Sequence, residues 1–434
     1  MRILIYSYNY YPEPIGIAPL MTELAEGLVK RGHQVRVVTA MPNYPERQIY
    51  EGYRGKWYFS EVKNGVQIQR SYVWIRPQPN LLDRVLLDAS FIVTSFLPAL
   101  MGWRPDVILS TSPSLPSCIP TALLGWLHNC PVVLNLQDIL PEAAVHVGLL
   151  KNKLLIHLFT ALEKFAYRTA TKISVIADGF VDNLLSKRVA ASKIVQIPNW
   201  VDINFVRPLP KENNAFRTAH NLNGKFVVLY SGNIALTQGL ETVVKAAFEL
   251  RHIPDIAFVI VGEAKGLQRL QLECQAIGAD NVLLLPFEQR KHLPEMLAAA
   301  DVGLVVQKKN IVSFNMPSKI QVLLASGRAL VGSVPDNGTA ARAIRESGGG
   351  VVVSPEDPHA LAKAILNLYK RPEKVKTLGY NSRKYAIEKY AFEQALNQYE
   401  FLFSSIVADQ SAVESTAVSP QTEIFAPRET LNKV

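Results

Sequence analysis

Short unbroken apolar runs alternate along the chain with longer stretches whose apolar positions recur at helical spacing. Arg2-Ile3-Leu4-Ile5-Tyr6 reads as a strand. A helix is expected from Pro19, a residue suited to a first helical turn, to Lys30, with Leu20, Leu24, Ala25 and Leu28 on its buried side. Arg31-Gly32 ends it, and 34–39 is the next strand, which completes a βαβ unit. Strands follow near 105–110, 132–136, 172–176 and 193–197, and helices near 119–127 and 154–169. Residues 44–58, rich in Tyr, Pro and Gly, read as a long loop of the kind that is often functional.

The pattern lapses at 204–224 around Pro208, Pro210, Lys211, Glu212, Asn213 and Asn214, and a second series begins. Its strands are expected near 226–231, 257–261, 282–285, 302–306, 329–333 and 350–353, with helices between them. The expected organisation is a first domain at 1–205, a linker at 206–224, a second domain at 225–380, a helix at 381–406 and a disordered tail at 407–434. Both domains read as α/β, each a parallel sheet with helices on both faces. Ligands bind beyond the carboxyl ends of such strands, so two facing domains share a cleft.

The most apolar stretch is 85–101. Asp88 and Pro98 leave it short of the ~20 apolar residues a membrane span needs. It is either a buried core helix or one resting on a membrane surface with Arg76, Arg84 and Arg104 as anchors. Composition supports large cores: of 434 residues, 48% are hydrophobic and 19% charged. The net charge is +9, about +6 of it in the first 210 residues, which points to an anionic partner such as a membrane surface or a phosphorylated substrate. Nucleic acid is disfavoured, because the basic residues are scattered and no binding motif occurs. Cys118, Cys130 and Cys274 have no metal-ligand spacing and read as reduced thiols. With no signal peptide read at the start, a cytoplasmic protein, peripheral on the inner face of the plasma membrane, is expected.

One stretch carries candidate chemistry. Val227-Val228-Leu229-Tyr230 forms a strand that Ser231, Gly232 and Asn233 break, and Gly239 turns the chain into a helix from Leu240. Strand, glycine loop and helix leave backbone N–H groups free for a phosphate, although a plain strand-to-helix turn looks the same locally.

Further motifs add to this loop. Gly-His follows the first helix, Ile-Pro-Asn-x-Val-Asp precedes the linker, and Ser-Gly-Asn…Gln-Gly opens the second domain. Val-Gly-Glu, Leu-Ala-Ala-Ala-Asp-Val-Gly-Leu and Pro-Ser-Lys-Ile with a later Ala-Ser-Gly come after it. In this order the chain resembles the retaining glycosyltransferases of family 4 over about residues 1–405, and within them the branch of colanic acid and O-antigen synthesis.

The resemblance implies a GT-B fold of two Rossmann-like domains facing a central cleft, with a C-terminal helix crossing back to the first. It implies transfer of a hexosyl or N-acetylhexosaminyl group from a nucleotide-diphosphate sugar, UDP-linked by preference. The acceptor is expected to be polyprenyl-diphosphate-linked or a saccharide, at an anionic membrane surface. No cofactor or metal is expected. The diphosphate needs N–H donors and a cation. Gly16 on the first-domain loop, and Ser231, Gly232, Asn233 and Gln238 on the opposing one, are candidates, with Asn199 beside them. Pro317 at a helix start would leave free N–H groups near Ser318 and Lys319, and Lys319 would add the positive charge. Gly262, Glu263 and Phe287 would border the ribose and base. Asp138 and Glu142 are the candidate catalytic carboxylates. Asn233 and Gln238 are neutral where many family members carry Arg and Lys. Phe314 and Val322 stand where two glutamates are common, and Gln137 where a histidine is. A nucleotide-sugar 2-epimerase of the same fold, or a non-catalytic partner that has lost the donor site, remain as alternatives.

Overall fold

The computed structural model describes every residue except 15, 113, 147, 149, 236 and 418–434, and leaves the side chains of 81 and 411–417 aside. Among the described residues the first half builds an eight-stranded sheet from β1 (Arg2–Tyr6), β2 (Gln34–Ala40), β3 (Tyr58–Lys63), β4 (Val66–Ser71), β5 (Val107–Thr111), β6 (Val132–Leu136), β7 (Lys172–Val175) and β8 (Ile194–Gln196). Their order is β3-β4-β2-β1-β5-β6-β7-β8, and only β3 is antiparallel to its neighbour. The second half builds a parallel six-stranded sheet from β9 (Phe226–Ser231), β10 (Ile256–Gly262), β11 (Val282–Pro286), β12 (Val302–Val306), β13 (Ala329–Ser333) and β14 (Gly350–Val353), in the order β11-β10-β9-β12-β13-β14. Helices cover both faces, so central strands such as β5 and β12 are buried at every position, which explains their unbroken apolar sequences.

The β3–β4 hairpin begins where the expected 44–58 loop ends and occupies a stretch to which the sequence reading assigns no element. Asn64 and Gly65 form its two-residue turn, both with positive φ (50° and 81°), the backbone a tight hairpin turn requires. The 206–224 segment is ordered. Its Ala215–Ala219 helix places Phe216 and Leu222 in the second core. Buried Arg217 meets Asp301 at 2.7 Å and also donates to the carbonyls of Leu222, Lys225 and Ala299.

The Pro372–Tyr390 helix lies on the second domain, held by Arg383 donating to the carbonyls of Ile203, Val206 and Ala325. The chain then crosses back. In the Phe392–Ala417 helix, Leu396, Tyr399 and Phe403 enter the first-domain core beside Leu24 and Leu28. Gly27 makes room for the Phe392 ring, which would lie 2.7 Å from a Cβ there. The start of the expected tail at 407 continues this helix, and the rest of that tail beyond Ala417 lies outside the described residues.

The apolar stretch is the Leu81–Leu100 helix, opened by an Asn80–Asp83 capping box. One face carries Phe91, packed on Tyr6 and Tyr8, while Leu82, Val85, Val93 and Leu97 are exposed on the rest. Buried Arg36 donates to the carbonyls of Pro98, Ala99, Met101 and Trp103, closing the helix's C-terminal end. Among the described residues no helix is long and apolar enough to cross a membrane.

Candidate active site

The two domains meet across their carboxyl edges. The ring of Phe180, on the Asp178–Ser186 helix of the first domain, packs on Phe314 with centroids 5.7 Å apart. Arg342 of the second domain pairs with Asp178 at 2.6 Å and Asp182 at 3.0 Å. A Cβ at Gly179 would collide with Phe314 and Thr339, so a glycine is needed there for the domains to approach. Phe314 is thus spent on the domain contact.

The second-domain wall is built on the loop after β9. Gly232 has φ of +140°, a backbone that side-chain-bearing residues rarely adopt. A Cβ there would stand 3.1 Å from Lys319 Nζ and 3.4 Å from its Cε. The loop and the Pro317-Ser318-Lys319 turn therefore face each other directly. Lys319 is half-buried as a residue, but its Nζ is sealed from water and has no hydrogen-bond partner. Its nearest support is the Tyr230 ring, 3.5 Å from Nζ to the centroid. Burial lowers its pKa from 10.5 to about 7, because the ammonium loses its hydration and gains no charged or hydrogen-bonding partner in return.

Surrounding groups fix the loop's shape. Glu263 accepts the Ile234 N–H with both carboxylate oxygens, at 3.1 and 2.9 Å. The Tyr230 hydroxyl donates to the Asn233 carbonyl at 2.6 Å. Gly262 backs onto Ile234, leaving no space for a side chain. Asn233 and Ser318 are exposed, Ser231 and Pro317 half-buried, and the Gln238 Oε1 is buried without a partner. Phe287, just beyond β11, is 53% exposed, which rules out core packing and leaves its ring free to stack on a planar group.

In the first domain, Gly16 lies on an exposed loop ahead of the Ala18–Lys30 helix, with φ of +71° and nothing within 4 Å of a Cβ position. Asn199 is paired amide to amide with Gln137, at 2.7 and 3.1 Å, and Gln137 continues to Asn135. Both side chains thus belong to a first-domain network that ends on the Tyr399 hydroxyl. Asp138 has no hydrogen bond. Its side chain is exposed, but the protein packed around it thins the surrounding water and raises its carboxyl above the ordinary range. Glu142 pairs with Lys187 at 2.9 Å and accepts from Asn183 at 2.7 Å.

Tyr230 and Thr339 escape the sequence reading, whereas Gln321 stands out there as the polar neighbour of Val322. Tyr230 reads as an ordinary strand residue, yet its ring supports Lys319 and its hydroxyl holds the loop. Gln321, two residues past Lys319 on the same helix, and Thr339 bury unpaired side-chain oxygens. Among the described residues no group of three or more His, Cys, Asp or Glu could hold a metal ion.

Comparison with known proteins agrees with this layout. Residues 16–200 match the family described as glycosyl transferase 4-like domain, and 212–385 match glycosyl transferases group 1. The chain is 33% identical to the putative colanic acid biosynthesis glycosyl transferase WcaI of Escherichia coli (strain K12), over 92% of this chain and 98% of that protein. Among solved structures, sucrose-phosphate synthase from Thermosynechococcus elongatus superposes with a TM-score of 0.71 at 18% identity, covering 94% of this chain and 99% of that one. Anabaena HepE in complex with UDP-glucose does so with a TM-score of 0.67 at 17% identity, covering 93% and 100%.

Proposed function

Because the chain belongs to the family 4 glycosyltransferases, on their WcaI-like branch and with the GT-B architecture, we propose that it moves a sugar from a uridine diphosphate sugar to a lipid-linked acceptor in bacterial surface polysaccharide synthesis. The observation that carries this reading is Lys319. A sealed ammonium with no partner, set against a glycine that leaves space, suits an incoming diphosphate. The Asn233 backbone N–H, with Ser231, Gln238, Pro317 and Ser318, borders the same space, whereas the Gly232 N–H is already donated to the Val261 carbonyl at 3.1 Å and Gly232 contributes only the room its missing side chain leaves. Gly262, Glu263 and Phe287 border the nucleoside. Gly16 and Asn199 are the first-domain contributors, Asn199 through its pair with Gln137.

The transfer proceeds with retention. The acceptor hydroxyl oxygen bonds to the anomeric carbon on the face from which the phosphate leaves. The bond from that carbon to the phosphate oxygen breaks, and the hydroxyl proton passes to the departing phosphate. The products are the glycoside and the nucleoside diphosphate. Lys319 stabilises charge on the leaving group, and the protein's main contribution is positioning. Asp138, unpaired at the cleft, orients the acceptor hydroxyl; Glu142, through Lys187 and Asn183, holds the segment behind it. No metal takes part. The acceptor reaches the site at an anionic membrane surface. The exposed Leu97, Trp126 and Leu158, on three helices that pack side by side, support this, as do Arg84, Arg104, Lys151 and Lys153 nearby.

Incubation with a panel of nucleotide sugars and membrane lipid extract, followed by product analysis, tests the reading. Sugar on lipid together with free UDP is expected. A free 2-epimer of the donor, or no nucleotide binding at all, would refute it.

A further inference from the structure

A cavity of about 680 Å³ lies at the β8 edge of the first domain, and none of its lining residues belongs to the donor walls. It is a groove between the Lys153–Thr169 and Asp178–Ser186 helices. One end is Pro141 and Glu142, beyond the carboxyl end of β6; the other is Lys193, just ahead of β8 and away from the domain cleft. Five basic side chains and two acidic ones line it, so it carries net positive charge. Among the described residues the side chains of Lys164, Arg168 and Arg188 make no hydrogen bond or ion pair. Lys164 and Arg168 stand one helical turn apart, a spacing at which like charges repel. Cations do have an ordinary use at a helix C-terminus. Lys193 already fills it: its Nζ donates to the carbonyls of Tyr167, Arg168 and Ala170, between 2.8 and 3.3 Å. Arg188 has φ of 63°, a backbone that other residues adopt more easily, so the local turn does not call for an arginine.

The inner wall has the opposite character. Buried Glu163 accepts from the Tyr167 hydroxyl at 2.8 Å and pairs with Lys187 at 2.5 Å; Glu142 pairs with the same ammonium at 2.9 Å. One ammonium thus serves two carboxylates, which keep lone pairs for further donors. We propose that the groove binds a sugar phosphate, at a site separate from the transfer cleft. The phosphate lies among Lys164, Arg168 and Arg188, whose charges it answers. The sugar hydroxyls donate to the carboxylates of Glu142 and Glu163, and Pro141 and Val189 offer apolar surface to a ring face. A polyphosphate suits the groove less, because the two carboxylates repel its further charges. A neutral sugar suits it less, because the three unpaired cations gain nothing from it. The site stands independently of the transferase reading.

Calorimetric titration of the full chain with glucose 6-phosphate, inorganic phosphate and glucose tests it. Glucose 6-phosphate is expected to bind about tenfold or more tightly than either of the others. Arg168→Ala with Arg188→Ala should weaken it by about tenfold or more, and inorganic phosphate with it. Both arginines are exposed and unpaired, so the melting temperature of this variant should match the parent's. Glu142→Gln should weaken glucose 6-phosphate about threefold or more without weakening inorganic phosphate, because only the ester presents hydroxyls to that side chain. Lys319→Met, which alters the donor wall, should leave the affinity for glucose 6-phosphate unchanged. Absence of binding, equal affinity for phosphate and its ester, binding that survives loss of both arginines, or binding lost in Lys319→Met would overturn the proposal.

Discussion

Lys319→Met should strengthen the ligand-free protein while removing its grip on the donor. The buried ammonium has no partner, and its pKa falls from 10.5 to about 7. At about 1.4 kcal/mol per pH unit, that gap is on the order of 4–5 kcal/mol set against the charged form. The folded value lies below the unfolded one, so between about pH 7 and 10.5 the unfolded chain binds more protons. Stability of the parent therefore rises with pH across that window, and the cost is fully present below it. Methionine fills similar space without charge. The parent recovers part of the cost by swinging the flexible lysine toward water, so a gain of about 1–3 kcal/mol at pH 6.5 is expected, or about 2–6 °C in Tm. UDP should act the other way. At a hundredfold excess over Kd it adds about 2.7 kcal/mol to the parent and little to the variant. Differential scanning calorimetry at pH 6.5 and pH 9, with and without UDP, measures all four values. A variant that melts below the parent without ligand, or that gains as much from UDP, would refute the reasoning.

Two further substitutions probe the same cleft. Gly232→Ala places a Cβ 3.1 Å from Lys319 Nζ on a backbone that resists it, so it should cost about 1–3 kcal/mol in thermal unfolding and weaken UDP at least tenfold by calorimetry. Asp138→Asn should lower kcat by about a hundredfold or more with UDP affinity unchanged. In the parent, the rate should fall as pH drops through the raised value of Asp138, because the carboxylate is the working form, and a pH–rate profile would check this.

The alternation of buried parallel strands and helices was legible because each unit repeats the same apolar signal, as in β5, β6, β9 and β12. The β3–β4 hairpin was not, although Asn64-Gly65 marks its turn; its exposed β3 lacks an apolar run. The order within 206–224 was hidden for a related reason. Arg217 and Asp301 are charged residues that become core only through one another, over a separation of 84 positions. In the cleft, the Pro-Ser-Lys and Ser-Gly-Asn segments could be named from sequence, since glycine, proline and lysine each have a local physical meaning. The Glu263 clamp on Ile234 and the amide pair of Asn199 with Gln137 could not. Those depend on where side chains arrive after folding, which spacing along the chain does not encode.

The returning Phe392–Ala417 helix has a consequence for biosynthesis. Leu396, Tyr399 and Phe403 fill ground in the N-terminal half, yet the ribosome delivers them only after both sheets. While the remainder is being made, the patch around Leu24, Leu28 and Gly27 stays wet and greasy, a natural hold for chaperones. The half that is born first is thus the half that finishes last, and a message cut short near codon 391 would yield a chain whose opening half stays unsealed.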